Sequence, residues 1–347
     1  MGNTPRLNRF LFIVYVLISL CVGGSALVWP AFRSVAYAPL RDSLLPNFYL
    51  NPQAGRPIGI VMAVSPALED WVRESMLEFA RQNPLVSVEV TALRGAEANR
   101  RLNVMTGLPD IWIAESDWAR TAAGGIPYEE TGTVMAQDTF VWALAAGSPQ
   151  NILSHLDWNT FARIADDTPT FRMALPPAGS IEGMAACLSA AAEYFGQPTP
   201  TAAQIGDPAF RRWLDGLLDA VPDLTRNPFD TMASRPPQAD VAFLPLSDGR
   251  SLDPSAFTFQ PPQYAPVLNF TLYVRSGWNE LPDADAPLKR EAVEKIRSYL
   301  AGGGPQGKLA AYFLERSTES FNNPVRPADE SAVFALQFCW RHQGGNS

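Results

Sequence analysis

The sequence predicts an α/β fold built on an open parallel sheet, divided into two lobes and preceded by an apolar N-terminal segment. Apolar runs typical of buried strands alternate with amphipathic helical segments along most of the chain. The 347 residues exceed what a single compact core usually organises, which favours two lobes. Residues 10–32 carry no charge. With 47% hydrophobic and 18% charged residues, the composition is that of a globular protein.

The N-terminal segment predicts a membrane anchor. Residues 10–32 are almost all apolar, and a helix of this length spans about 34 Å, enough to cross the hydrocarbon core of a bilayer. Arg6 and Arg9 precede it, so the positive-inside rule places residues 1–9 in the cytoplasm and the main domain outside a cell membrane that the chain crosses once. A cleaved signal peptide, with its cleavage site near Gly24–Ala26, is the alternative.

The first half of the main domain predicts a β-α-β-α-β order, which implies a parallel sheet. Residues 33–56 contain three prolines with little periodicity, and we interpret them as a linker leading off the membrane. The continuous apolar run that follows the linker suits a strand buried on both faces. The predicted strands are Ile58–Val64, Val86–Ala92 and Pro109–Ala114, and the predicted helices run from Ser65 to Asn83, from Gly95 to Met105 and from near Asp117.

The second half continues the alternation of strands and helices. Ser180 is a favourable N-cap for a long Ala-rich helix, and Gly196 is a favourable stop signal for it. The predicted strands are Thr139–Ala145, Phe171–Leu175, Asp240–Leu246 and Val267–Val274. The predicted helices are Trp158–Ala165, Ile181–Phe195, Phe210–Ala220, 287–301 and 307–315.

Composition and charge exclude several classes of function. The net charge is -8 and the chain has no long run of Lys or Arg, so binding to nucleic acid is not expected. His155 and His342 are the only histidines and lie far apart, and there is no C-x-x-C pair. These absences predict a protein that is not an enzyme and that holds no metal and no cofactor.

Of the three cysteines, Cys21 lies in the membrane segment. Cys187 falls among apolar residues at helical spacing, which predicts a buried thiol. An extracytoplasmic location also permits a disulfide between Cys187 and Cys339.

Four serines follow predicted strands and are candidate ligand-binding residues. Ser65 and Ser180 each lie at the carboxyl end of a strand and open a helix, whose N–H groups could face a bound polar group. Ser116 and Ser247 follow two other strands, and we expect them nearby. Hydroxyls both donate and accept, so they suit an uncharged polar ligand or a carboxylate. Plain N-capping is the alternative role for Ser65 and Ser180.

Several segments, in this order, carry a resemblance to a known family. They are Ser65-Pro66-Ala67 with the helix after it, Leu108–Ile113 with its Pro-Asp-Ile-Trp, Pro177–Gly183, Ala239–Pro245 and Leu272–Val274. Over about residues 57–316 the chain resembles the bacterial extracellular solute-binding proteins. These proteins have the two-lobed type II periplasmic-binding-protein fold and are often found next to von Willebrand A domains.

The resemblance implies a split topology and a binding function. Lobe one would comprise residues 57–141 plus 264–347, and lobe two residues 142–263, with a hinge near Trp142 and Gln263. The chain would then be a membrane-tethered, extracytoplasmic protein that binds or senses a small polar ligand and works with a transporter permease or an envelope protein.

Two features depart from the family pattern. Many relatives have a Gly-Phe-Arg after the late helix, where this chain has Tyr312-Phe313-Leu314-Glu315-Arg316. Glu115 and Asp117 follow the third strand, where an oxyanion binder would place neutral hydroxyls, so an oxyanion ligand is not expected. A domain that has lost its ligand and serves as an envelope protein-interaction scaffold is the alternative function.

Overall fold

The computed structural model of the chain describes residues 57–93, 108–123, 127–148, 156–277, 286–315 and 324–340. The predicted cytoplasmic tail, the segment at 10–32, the linker at 33–56 and the helix predicted from Gly95 to Met105 lie outside these ranges. Within them, no helix combines the length and apolarity that crossing a membrane requires.

In the first part of the domain, the described elements occur in the predicted order. An apolar strand leads into a helix whose apolar side chains, among them Trp71 and Phe79, face the core. The elements are β1 (Ile58–Val64), a 3₁₀ turn (Pro66–Leu68), α1 (Glu69–Gln82), β2 (Val86–Ala92), β3 (Ile111–Ala114), α2 (Ala119–Ala122) and β4 (Tyr128–Ala145).

The middle part contains a 15-residue helix that is capped at both ends. The Ser180 side chain accepts a hydrogen bond from the Gly183 N–H, and Gly196 ends the helix at a φ of 67°, as predicted. The elements are α3 (Trp158–Asp167), β5 (Met173–Ala174), α4 (Ile181–Phe195), α5 (Ala202–Ile205), α6 (Pro208–Leu218), α7 (Pro228–Ala233), β6 (Val241–Pro245), α8 (Leu246–Ser251) and β7 (Phe257–Gln260).

The last part returns to the sheet. Its elements are β8 (Val267–Arg275), α9 (Ala286–Leu300), α10 (Gly303–Gln306), a 3₁₀ turn (Leu309–Tyr312) and α11 (Glu330–Leu336). The prediction of a helix over 307–315 was wrong. Gly307 instead follows the single turn of α10, and the 3₁₀ turn ends at Phe313, which adopts a φ of 61°.

The sheet is mixed, so the expectation of a parallel sheet holds only in part. Its order is β2-β1-β3-β8-β4-β6-β5, with β7 also paired to β4. β1 runs parallel to β2 and β3, whereas β8 runs antiparallel to β3 and β4. The 18-residue strand β4 pairs with β8 as far as Thr139 and with β6 from Phe140 onward. One strand therefore runs continuously from the first group of strands into the second.

The prediction of a buried thiol at Cys187 was wrong, and the disulfide alternative is what the structure contains. Cys187 on α4 is bonded to Cys339, with 6.4 Å between the two Cα atoms, a separation that suits a disulfide. The chain after α11 packs against α4, where the Trp340 Nε1–H donates to the Gly183 carbonyl oxygen at 2.7 Å. This packing brings together two cysteines that are 152 residues apart.

Candidate functional site

A cavity of about 370 Å³ opens where four chain segments converge. Its volume lies in the range of small-molecule sites. The segments are the corner after β1, the turn leading into α4, the segment that begins α7, and the junction between β6 and α8, and Leu268 of β8 completes the wall. The lining residues are Ser65, Pro66, Ala67, Pro176, Pro177, Ser180, Glu182, Thr225, Asn227, Pro228, Phe229, Asp230, Pro245, Asp248 and Leu268.

Ser65 lies in the cavity wall without acting as a helix cap. Its backbone N–H donates to the Ile113 carbonyl oxygen at 3.0 Å, which fixes the corner against β3. Its side chain makes no capping hydrogen bond. Only 1% of the residue is exposed, and its Oγ has no hydrogen-bond partner among the described residues. The capping alternative therefore does not account for this hydroxyl.

Ser180 lies in the same cavity wall but its hydroxyl is already used. Its Oγ accepts from the Gly183 N–H at 2.9 Å and donates to the Pro177 carbonyl oxygen at 2.8 Å. This side chain is therefore an N-cap that closes the turn before α4. Its contribution to the cavity is structural: it holds the positive end of the α4 dipole at the wall.

Ser116 and Ser247 do not line the cavity. The Ser116 Oγ accepts from the Trp118 N–H at 3.1 Å. The Ser247 Oγ donates to Asp138 Oδ2 at 2.6 Å. Of the four serines, the structure thus brings Ser65 and Ser180 together at one cavity and engages the other two hydroxyls within the protein.

Several polar cavity residues were not anticipated from the sequence. Glu182 follows Ser180 in the first turn of α4, and Asp248 lies in the first turn of α8. Asn227 caps α7 by accepting from the Phe229 N–H, and Asp230 follows in its first turn. The Asn227-Pro228 pair is a recognisable helix start, because a side-chain cap precedes proline at the first helical position.

A buried carboxyl group, Glu115, stands next to Ser65. Burial and, after it, the charge of Glu182 raise the pKa of Glu115 to about 8, whereas Ser65 lowers it. Glu115 is 2% exposed, and its Oε1 has no hydrogen-bond partner among the described residues. The wall behind Ser65 therefore contains an incompletely satisfied polar pair.

A second buried carboxyl group lies where β4 passes from one group of strands to the next. Burial raises the pKa of Asp138 to about 7, and hydrogen bonds from Ser247 and Thr139 lower it. Asp138 Oδ1 accepts from the Thr139 N–H at 2.8 Å, while Oδ2 accepts from both the N–H and the hydroxyl of Ser247. Asp138 thereby ties β4 to the start of α8.

The cavity offers hydroxyl, amide and carboxylate groups between apolar walls. The described part of the chain contains no cluster of three His, Cys, Asp or Glu side chains arranged to hold a metal ion. The hydroxyl, amide and carboxylate groups of the wall suit a polar molecule, and the apolar walls suit its carbon skeleton.

The fold is shared with solved binding proteins. The ferric binding protein of Campylobacter jejuni matches with a TM-score of 0.58 and 11% identity, covering 81% of this chain and 96% of that one. The periplasmic binding protein AfuA of Actinobacillus pleuropneumoniae, solved with fructose-6-phosphate, matches with a TM-score of 0.54 and 10% identity, covering 80% of this chain and 93% of that one. The sulfate-binding protein SubI of Mycobacterium tuberculosis matches with a TM-score of 0.53 and 14% identity, covering 75% of this chain and 87% of that one.

No protein-family model matches the chain. No curated protein sequence matches it either. The structural matches share too little sequence to transfer a ligand, but they show the architecture. The described domain has the mixed α/β fold, with a curled sheet, of the periplasmic solute-binding proteins.

Proposed function

We propose that this chain is an extracytoplasmic solute-binding or ligand-sensing protein that takes a small polar ligand in the cavity between Ser65 and Ser180. We propose further that residues 10–32 tether it to the cell membrane, where it would serve a transporter permease or an envelope protein. The observation that carries the binding function is the Ser65 hydroxyl, which is buried in the cavity wall and has no hydrogen-bond partner in the part of the chain that the structure describes.

The cost of leaving that hydroxyl unpaired supports the proposal. A buried polar group without a hydrogen bond costs about 1–3 kcal/mol. Folded proteins rarely accept this cost unless the group has a use. A ligand atom placed in the cavity would supply the missing partner. An apolar side chain at position 65 would avoid the cost if the cavity had no ligand to bind.

The pairing of β4 supports the proposed division into lobes. We propose that residues 57–141 plus 264–347 form lobe one and residues 142–263 form lobe two. β4 pairs with β8 up to Thr139 and with β6 and β7 beyond it, so a hinge in this strand would change the opening between the two groups of strands. Closure of such lobes around a ligand is a common mode of binding.

The residues that follow α11 contact elements assigned to both lobes. The Gln337 side-chain amide donates to the Ala122 carbonyl oxygen at 2.7 Å, on the lobe-one side. Cys339 is bonded to Cys187 of α4, on the lobe-two side. A closing motion of the lobes would therefore have to occur with this connection in place.

A thermal-shift screen of the main domain against sugars, amino acids, peptides and amines tests the function. A solute present at 100 times its Kd should add about 2.7 kcal/mol to the free energy of unfolding. Ser65→Ala removes only the unpaired oxygen and should weaken binding while the domain stays folded. Ser65→Phe should fill the cavity and abolish binding.

Ser298→Phe is the matched control, because Ser298 is exposed on α9 and does not line the cavity. It should bind the solute as the natural chain does. Affinity that is unchanged in Ser65→Ala and Ser65→Phe would contradict the proposed site. A domain that no solute of the screen stabilises would favour the scaffold function instead.

A further inference from the structure

Residues 337–340, which follow α11, form a short strap between the two proposed lobes. The Gln337 side-chain amide donates to the Ala122 carbonyl oxygen of α2 at 2.7 Å, in lobe one. Three residues later, the Trp340 indole N–H donates to the Gly183 carbonyl oxygen of α4 at 2.7 Å, in lobe two. The strap therefore connects the two lobes at a place other than the strand β4.

The lobe-two end of the strap is held firmly. Cys339 is bonded to Cys187, which lies one turn further along α4 than Gly183. The Arg211 guanidinium on α6 donates to the carbonyl oxygen of Phe338 at 2.8 Å and to that of Cys339. A charged donor strengthens these hydrogen bonds, and the disulfide adds a covalent bond. Movement of lobe two should therefore carry the strap with it.

The lobe-one end of the strap is held by weaker interactions. Gln337 is half-buried, and its hydrogen bond to Ala122 joins two uncharged groups. Such a bond contributes little net stability, because water replaces the partner when the bond opens. The helix α11 also packs against α2, and this packing is noncovalent. A hinge motion in β4 should therefore break the contact with lobe one and leave the contact with lobe two intact.

The strap acts on the cavity through the first turn of α4. The Gly183 carbonyl oxygen accepts from Trp340, and the Gly183 N–H donates to the Ser180 hydroxyl at 2.9 Å. Ser180 lines the cavity on the lobe-two side, and Ser65 lines it on the lobe-one side. While Gln337 stays bonded to α2, the wall at Ser180 is tied to lobe one and the cavity keeps its width.

We infer that the strap is a latch that sets the spacing of the two lobes, and that opening of the cavity breaks the Gln337–Ala122 hydrogen bond while the strap stays fastened to lobe two. This inference rests on the proposed two-lobed binding function and identifies Gln337 as a positioning residue for it. Gln337 does not line the cavity and acts on it through Trp340 and α4.

Spin labels on the two lobes measure the opening. They are attached to the full chain at two exposed positions, Ser298→Cys on α9 and Arg212→Cys on α6, and Cys21→Ser removes the third natural cysteine. Pulsed electron paramagnetic resonance should give one main distance when Gln337 is present. Gln337→Glu keeps the side-chain shape without an N–H donor, and Gln337→Ala removes the amide without adding a charge. Either variant should raise the ratio of open to latched distances about three- to tenfold.

Gln82→Glu is the matched control, because Gln82 is exposed at the end of α1 and lies outside the strap. It should leave the distances unchanged. Urea unfolding of every variant is followed in parallel. If both Gln337 variants lower the unfolding midpoint but keep the distance distribution of Gln82→Glu, Gln337 has a purely structural role and the latch is overturned. An open population that is as large with Gln337 present as in its variants would overturn the latch as well.

The latch and the solute-binding function fail in different ways, because the spin labels report movement of the lobes without any solute. If the Gln337 variants open and no solute of the thermal-shift screen stabilises the chain, the latch stands and the binding function is overturned. If a solute binds in a manner that depends on Ser65 and the Gln337 variants do not open, the binding function stands and the latch is overturned.

Discussion

Replacing Gly183 with alanine should displace the backbone that forms one wall of the cavity. Gly183 lies in the first turn of α4, and a Cβ there would stand 2.1 Å from the Pro177 carbonyl oxygen and 2.9 Å from its carbonyl carbon. Both atoms belong to the backbone, so either the helix or the turn must move. That movement would strain the hydrogen bonds through which Ser180 joins Pro177 to Gly183.

The expected magnitude follows from three contributions. In an unhindered helix position, alanine is about 1 kcal/mol more favourable than glycine. Overpacking of this kind costs about 1–3 kcal/mol and sometimes more. A weakened N-cap costs about 1 kcal/mol. We therefore expect Gly183→Ala to lower the free energy of unfolding by about 1–3 kcal/mol and to weaken the binding of any solute beside Pro177.

Urea unfolding followed by tryptophan fluorescence measures the effect, with Gly216→Ala as the control. Gly216 lies within α6, and a Cβ there would have its nearest neighbour, Asp166 Oδ1, at an ordinary 3.9 Å. The control should be stabilised by up to about 1 kcal/mol. If Gly183→Ala is as stable as the natural chain or Gly216→Ala, the close-contact argument is refuted.

Three further predictions concern stability. The double variant Cys187→Ala, Cys339→Ala should lose about 2–5 kcal/mol of unfolding free energy in urea, and a loss below 1 kcal/mol would contradict a stabilising disulfide. Burial raises the folded-state pKa of Asp138 to about 7, so its protonated form is favoured by folding. The stabilisation from the protonated carboxyl is therefore complete below its unfolded pKa of about 4 and is lost as pH rises to 7. Asp138→Asn should remove this decline in the free energy of unfolding, and equal pH profiles of the variant and the natural chain would contradict the prediction. Trp71→Phe should lower the free energy of unfolding by about 1–3 kcal/mol, because the buried indole N–H donates to the Pro305 carbonyl oxygen at 2.9 Å. An unchanged midpoint of thermal unfolding would argue against that hydrogen bond.

Local signals predicted some elements to the residue. The helix Ile181–Phe195 has the predicted bounds, because Ser180 caps it and Gly196 takes the left-handed conformation that ends it. β1 and β2 also have the predicted bounds. In these cases the residues that begin or end the element lie within it or next to it.

Other elements depend on pairing that periodicity does not reveal. The first eleven residues of β4 were not anticipated, since Glu129, Glu130 and Gly132 interrupt the apolar pattern there. These residues are held in the strand by β8, with register shifts between Glu130 and Ala136. The antiparallel direction of β8 was likewise missed, because a buried apolar run is compatible with either direction.

The candidate site could be predicted only where a strand ends in a helix. That pattern led to Ser65 and Ser180, which do line the cavity. Asp230 and Asp248 reach the same cavity from separate segments, and Glu115 is buried behind it, through packing that no local signal encodes. The Cys187–Cys339 disulfide was left as an alternative for the same reason.

The central claim is that one solute contacts both the Ser65 corner and the start of α4. Hydrogen–deuterium exchange of the main domain, with and without the tightest-binding solute of the screen, tests it most directly. We predict slower exchange on binding in two separate stretches, at residues 65–69 and 180–184. Ser65→Phe should abolish both changes. Protection of one stretch alone, or protection confined to residues outside the cavity lining, would contradict the claim.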